Sequence, residues 1–259
     1  MTGHDTNRQL QLTALRGIPL VAGGDDLTAI ILHGVEVSGL ALQPGDALVI
    51  AQKIVSKAER RSVALAEVTP SVRALELAAR TDKDPRLIEL ILRESNEVVR
   101  ARQGVIIVEQ RCGVVMANAD IDASNVGGDD AQVLLLPEDA DATCARLRAE
   151  IAERTGCAVA VLINDSIGRA WRNGTVGTAL GSAGLHALYD ARGRRDLFGR
   201  ELRATEIGAA DEIAAAASIL MGAADEARPV VHVRGLPTEW LGSGTAGDLI
   251  RARERDLFR

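Results

Sequence analysis

The sequence predicts an α+β protein: a mixed sheet with interleaved helices. Three observations carry that prediction. Short apolar, β-rich runs alternate with stretches of helical periodicity along the chain. Several strand runs fall in adjacent pairs, which favours a mixed sheet over a purely parallel one. The core must be aliphatic, because aromatics make up only 2% of a chain that is 47% hydrophobic. A length of 259 residues suits one large domain or two small ones. The expected organisation is a single domain over residues 1–259, with a helical block at about 60–110 that breaks the strand rhythm as a candidate small subdomain.

The elements follow in order. Leu10 to Leu15 alternates apolar and polar residues and reads as a first strand, broken by Gly17-Ile18-Pro19. Asp25 or Asp26 caps a helix through LTAIILHGVEVSG, and Gly39 stops it. Capping accounts for that acid pair. Pro44-Gly45-Asp46 is a turn, and ALVIAQKIV is a β-rich run ending in Ser56-Lys57. Thr69 to Arg80 and Asp84 to Arg100 read as helices, the second opened by Pro85. Gly104 to Val108 and Cys112 to Met116 read as strands with a turn between. Residues 118–130, NADIDASNVGGDD, form a polar loop rich in acids. Ala131 to Leu136 is a strand, Ala140 to Thr155 a helix closed by Gly156, and Ala158 to Ile163 a buried strand. A glycine-rich stretch, a charged loop (Asp190 to Arg203), an alanine-rich helix (Thr205 to Met221, stopped by Gly222) and a strand (Pro229 to Arg234) complete the chain.

Several function classes are excluded. A net charge of −6 and the scarcity of aromatics argue against a nucleic-acid surface. No apolar run is long enough to span a membrane. The polar start, MTGHDTNRQLQL, lacks a secretory h-region, so a cytoplasmic protein is expected. Cys112, Cys144 and Cys157 form no CxxC pair and read as inert thiols in a reducing compartment. There is no P-loop, no G-x-G-x-x-G after a strand, no HExxH and no G-x-S-x-G. Gly177, Gly181 and Gly184 read as points of close backbone packing.

What remains is oxygen chemistry at strand ends. In AVAVLINDSIGRAWRNG (158–174), a buried strand delivers Asp165 and Ser166, then Arg169 and Arg172. Open sheets bind ligands at such ends. Carboxylate and hydroxyl oxygens suit a hard cation, and arginine forks suit phosphate or carboxylate. A second acidic loop carries Asp120, Asp122, Ser124 and Asn125, and Lys57 follows a third strand-like run.

Nine ordered blocks resemble the coenzyme F420-0:γ-glutamyl ligase family. They are GIPLVAGGDDL, PGDALVIAQKIVSKAE, KDPRLIELILRES, DIDASNVG, VLLLPEDAD, VAVLINDSIGRAWRNG, GSAGL, FGRELRATEIGAADEIAAAASILMG and PVVHVRGL, running from about residue 17 to 236. The resemblance implies a GTP-dependent ligase that joins L-glutamate to the carboxylate of the deazaflavin precursor F420-0. It implies Mg²⁺ or Mn²⁺, assistance by K⁺, a homodimer, and a fold distinct from P-loop and ATP-grasp proteins. By position it implies metal ligation by Asp122, Asp165 and Ser166. It implies nucleotide contacts at Ile18, Pro19, Leu20, Val21, Gln52, Lys57, Asn125, Met221 and Gly222. Catalytic roles are expected for Asp165, Lys57, Arg169 and Arg172, the two arginines by inference from charge alone.

Four positions depart from the family pattern. Ser166 stands for the usual Thr, Ala223 for a polar residue, Asp120 for Gly, and Arg60 for Gly after Glu59. Ala223 keeps open a nucleotide-binding regulatory module without turnover. A same-fold ligase for another carboxylate acceptor is also open. No C-terminal flavin reductase domain is expected.

Overall fold

The structure is a computed structural model that describes residues 8–122 and 131–257. Its order is β1 (Gln11–Ala14), α1 (Leu27–Val37), β2 (Ala47–Ala51), α2 (Gln52–Ala58), β3 (Ser62–Ala64), α3 (Val72–Thr81), α4 (Pro85–Arg93) and β4 (Ser95–Arg102). There follow β5 (Val105–Gln110), β6 (Val115–Ala117), β7 (Gln132–Leu134), α5 (Ala140–Thr155), β8 (Ala160–Arg169) and β9 (Arg172–Ala183). The last elements are β10 (Tyr189–Asp190), β11 (Glu206–Ile207), α6 (Ala209–Met221) and β12 (Val230–Arg234). The architecture is mixed α+β, as expected.

The main sheet has the order β1-β12-β2-β8-β9. Only β2 and β8 are parallel; the other pairs are antiparallel. Side chains alternate across it with the two-residue period of a strand. Leu48, Ile50, Val161 and Ile163 face one core, shared with α1, α2 and α5. Ala47, Val49, Ala160 and Leu162 face the other, filled by Ala210, Ile213, Ala214 and Ala217 of α6. A third cluster joins α3 and α4 to Ile106 and Val108 of β5 and Val133 of β7. Among the described residues no helix is long and apolar enough to cross a membrane.

Helix capping follows the sequence. Asp26 is the N-cap of α1, accepting from the Ala29 N–H at 3.0 Å, while Asp25 accepts from the Ala22 N–H at 2.8 Å.

Four element assignments are corrected. The run ALVIAQKIV is not one strand: it ends at Ala51 and turns into α2. The ladder to β12 runs out there, because Pro229 precedes Val230 and has no N–H to donate. Ile54 and Val55 mimic a strand but are buried from a helix. Residues 84–100 split into α4 and β4, since Val98 pairs across to Val108 and does not extend the helical face. Cys112 and Gly113 lie in the β5–β6 turn, with Gly113 at φ +88, so that strand begins only at Val115.

The fourth correction concerns the strand at 158–163. It does not stop before Asp165 but runs on to Arg169 and forms a hairpin with β9, which is the glycine-rich stretch. Those glycines do mark close packing. A Cβ at Gly177 would lie 2.1 Å from Ser218 Oγ on α6, and one at Gly181 would lie 2.4 Å from the Ala140 carbonyl of α5.

Candidate active site

The parallel ladder between β2 and β8 ends at Ala51 and Asn164. Beyond it β2 departs as α2, while β8 continues paired to β9 alone. A cavity of about 640 Å³ opens at this point. Its walls come from five segments distant in sequence. Ile18, Pro19, Leu20 and Val21 precede α1, and Gln52, Lys53 and Lys57 lie on α2. Asp120 and Asp122 come from the loop before β7. Asn164, Asp165 and Ser166 of β8 face Met221, Gly222 and Ala223 at the end of α6. A second cavity, of about 270 Å³ beside the start of α5, contains none of the expected site residues.

Most of the expected residues are therefore brought together: Ile18 to Val21, Gln52, Lys57, Asp122, Asp165, Ser166, Met221 and Gly222 all line one cavity. Asn125, with Ser124, lies outside the described residues. Arg169 and Arg172 do not line the cavity. They face each other across the end of the β8–β9 hairpin, both exposed, and Arg169 Nη2 donates to the Asn173 carbonyl at 3.4 Å. Lys53 was passed over in the sequence. It sits four residues before Lys57, a spacing that puts both on one helix face.

The acidic loop has unusual backbone geometry. Asn118, Ala119 and Asp120 are three consecutive left-handed residues, with φ of 55, 52 and 53. That conformation costs about 1–2 kcal/mol per L-residue, less for Asn and Asp. It is held by burial of Ala119, 1% exposed, in the third core cluster. Asp122 is then fixed by two backbone hydrogen bonds to Leu134, each 3.0 Å.

The turn drives Asp120 against Asp165. Burial raises the Asp120 pKa first, and contact with the Asp165 carboxyl and the charge of Asp122 raise it further, to about 9, against the opposing pull of Lys53. Asp120 Oδ2 is buried without a hydrogen-bond donor. Asp122 Oδ2 lies 2.7 Å from Lys53 Nζ.

Crowded acids with a buried, donor-less oxygen suit a divalent cation, which takes oxygen ligands. Among the described residues no three acid, imidazole or thiol groups converge into a ready metal cage. A cation here would draw on Asp122, Asp165 and the Ser166 hydroxyl, and complete its shell with ligand or water oxygens, as Mg²⁺ commonly does. Ala223 contributes only a methyl group to this wall.

Arg60 also has an explanation. It follows α2 in the left-handed region, φ 58, where a glycine would be at ease. Its side chain lies over Gly23 and Gly24: a Cβ on either would fall within 2.9 Å of Arg60 Cγ or 2.6 Å of Arg60 Nη2. The Gly24 N–H also donates to the Ala58 carbonyl at 2.8 Å. The turn after Val21 is thus clamped to the helix that carries Gln52, Lys53 and Lys57.

Comparison with known proteins places the chain in a family. The family described as F420-0:gamma-glutamyl ligase matches residues 17–235. The chain is 46% identical to coenzyme F420:L-glutamate ligase of Methanothermobacter thermautotrophicus, over 96% of this chain and 99% of that one. It is 39% identical to the protein of the same name from Methanocaldococcus jannaschii, over 97% and 98%. For the Archaeoglobus fulgidus protein of that name the identity is 41%, over 97% of each chain.

Proposed function

The chain belongs to the F420-0:γ-glutamyl ligase family, and from that premise we propose that it joins L-glutamate to coenzyme F420-0 at the expense of GTP. One observation supports the reading above others. Residues 18–21, 52, 57, 122, 165–166 and 221–222, each named by the family resemblance, line a single cavity.

A carboxylate acylates amines poorly, so it must be activated. The γ-phosphoryl of GTP passes to the F420-0 carboxylate: the bond to the β–γ bridging oxygen breaks, a bond to the carboxylate oxygen forms, and GDP leaves. The glutamate amine then attacks the acyl phosphate, an amide bond forms, and phosphate departs with the electron pair of the broken C–O bond. The attacking amine gives up its proton. Later glutamates add by the same route through γ-linkages. No enzyme nucleophile is needed.

The protein's task is alignment and charge compensation. Lys57 balances phosphate charge, and the Ile18–Val21 turn, Gln52, Asn125 and the Met221-Gly222 turn hold the nucleotide. Asp122, Asp165 and Ser166 would hold Mg²⁺ or Mn²⁺, which supplies neutralisation of phosphate charge when bound. K⁺ assistance, a homodimeric state and a cytoplasmic location belong to the same proposal. Arg169 and Arg172 are assigned to the anionic groups of the precursor or glutamate. The next register pair inward of them is Gly168 with Thr175, and Thr175 lines the cavity.

The test is direct. Purified protein is given GTP, L-glutamate, F420-0 and Mg²⁺ or Mn²⁺, and products are read by mass. F420-0 carrying glutamyl residues, together with GDP and phosphate, is expected. GTP binding without product would favour a non-catalytic nucleotide-binding module, the reading that Ala223 keeps open. Product from a different carboxylate alone would reassign the acceptor.

A further inference from the structure

We propose that Lys53 is a positioning residue for the acid cluster: its ammonium group competes with the divalent cation for Asp122 and so sets the cation affinity of the cavity. The inference rests on the reading of Asp122 as a metal ligand.

The geometry makes the two positive groups rivals. Lys53 Nζ is 2.7 Å from Asp122 Oδ2, a contact in which the lysine uses the lone pairs a cation would need. A divalent cation on the same carboxylate would meet the ammonium at close range, and like charges that near repel strongly. One of the two must move, and the structure says which. Asp122 is pinned through its backbone N–H and carbonyl to Leu134 and its side chain is 23% exposed. Lys53 lies in the first turn of α2 with its side chain 59% exposed, on a flexible four-carbon stem. The lysine is the group free to swing away. Until it does, it holds Asp122 beside Asp120 and Asp165 and offsets part of their mutual repulsion. Its charge is also felt at Asp120.

The experiment measures Mn²⁺ binding to nucleotide-free protein from the EPR signal of free Mn²⁺, for wild type, K53M and K53R. K53M is expected to bind Mn²⁺ about 3- to 10-fold more tightly than wild type. K53R keeps the charge and is expected to stay within about twofold of wild type. Lys53 is exposed, so losing its offset of the acid repulsion should lower the melting temperature of K53M only slightly in divalent-free buffer, and melts confirm that both variants are folded. A merely structural lysine would leave the affinity unchanged or lower it, and that result in K53M, with wild type binding Mn²⁺, overturns the Lys53 inference alone. If neither wild type nor K53M binds Mn²⁺, the metal reading of Asp122 itself fails.

Discussion

An acid lies beside each end of β2, fully buried at the start and half-buried at the far end, and the two are built on opposite principles. At its start, Asp46 is 2% exposed and surrounded by donors. It bonds His232 Nε2 at 2.8 Å, Arg234 Nε at 2.9 Å and Nη2 at 2.6 Å, and the Gln43 N–H at 2.8 Å. Burial pushes its pKa up, but the bonds from Arg234 and His232 outweigh it and hold the carboxyl below its ordinary value. At the far end Asp120 is surrounded by acids, and burial and Asp165 push it up to about 9. The residue type is the same; the company differs. An acid paired with donors ties strands together, and an acid crowded by acids raises the energy of the fold at the point where the proposed cation would bind.

The contrast is easiest to break at the paired end. Asp46→Ala leaves Arg234 and His232 without their acceptor and is expected to cost about 3–5 kcal/mol. That corresponds to a fall of roughly 10 °C in Tm for a chain of this size, read by calorimetry. The sign of the pH effect follows from the depressed pKa. The stabilisation by Asp46 is fully present above the unfolded value of about 3.9 and is lost as pH falls through the lower folded value. Wild type should therefore lose stability more steeply than Asp46→Asn below about pH 4, and parallel acid-denaturation curves would remove Asp46 from the account.

Gly177→Ala tests the site end mechanically. Its methyl would meet Ser218 Oγ and the Ala214 carbonyl, so α6 must shift, at about 1–3 kcal/mol. Because the end of α6 lines the cavity, nucleotide affinity measured by calorimetric titration should weaken several-fold along with Tm. A lower Tm with unchanged affinity would separate α6 from the site.

Smaller effects sharpen the comparison. Asp120→Asn replaces a carboxyl that the fold holds protonated, with its pKa pushed up to about 9, by a neutral amide that needs no proton, and it keeps a residue that tolerates φ near +53. In divalent-free buffer its Tm should rise by roughly 2–4 °C, about 1 kcal/mol, with the gain shrinking when Mn²⁺ is added. A fall in Tm would mean that Asp120 contributes to stability as Asp46 does. Arg60→Gly relieves a left-handed arginine but unclamps the Gly23-Gly24 turn. Steady-state kinetics should show the KM for GTP raised about 2- to 3-fold with kcat nearly unchanged, and an unchanged KM would leave Arg60 without a role in holding Ile18 to Val21.

Much of this was legible in the sequence, for reasons that differ by element. Asp26, Gly39 and Gly156 mark their helix ends because capping is local chemistry. The β-branched pair Ile54-Val55 misled, because the end of β2 is decided by Pro229, almost two hundred residues away. β8 was cut short at Ile163, since an acid and a hydroxyl inside a strand look like its end when the partner strand, β9, is disguised by glycines. Asp165, Ser166 and Asp122 could be named from oxygen chemistry and resemblance. Lys53 could not, because its meaning lies in a 2.7 Å contact with a residue 69 positions later. The left-handed run at 118–120 is likewise set by tertiary packing of Ala119, which no local pattern records.

The most direct test of the central contrast is Asp165→Ala, assayed for glutamate ligation to F420-0 at a temperature where melting shows it folded. The prediction is a loss of turnover of at least about 10³-fold, with a Tm in divalent-free buffer no lower than that of wild type, since one of the crowded acids is gone. Near-normal turnover, or a loss of activity explained by a fall in Tm like that of Asp46→Ala, would contradict it.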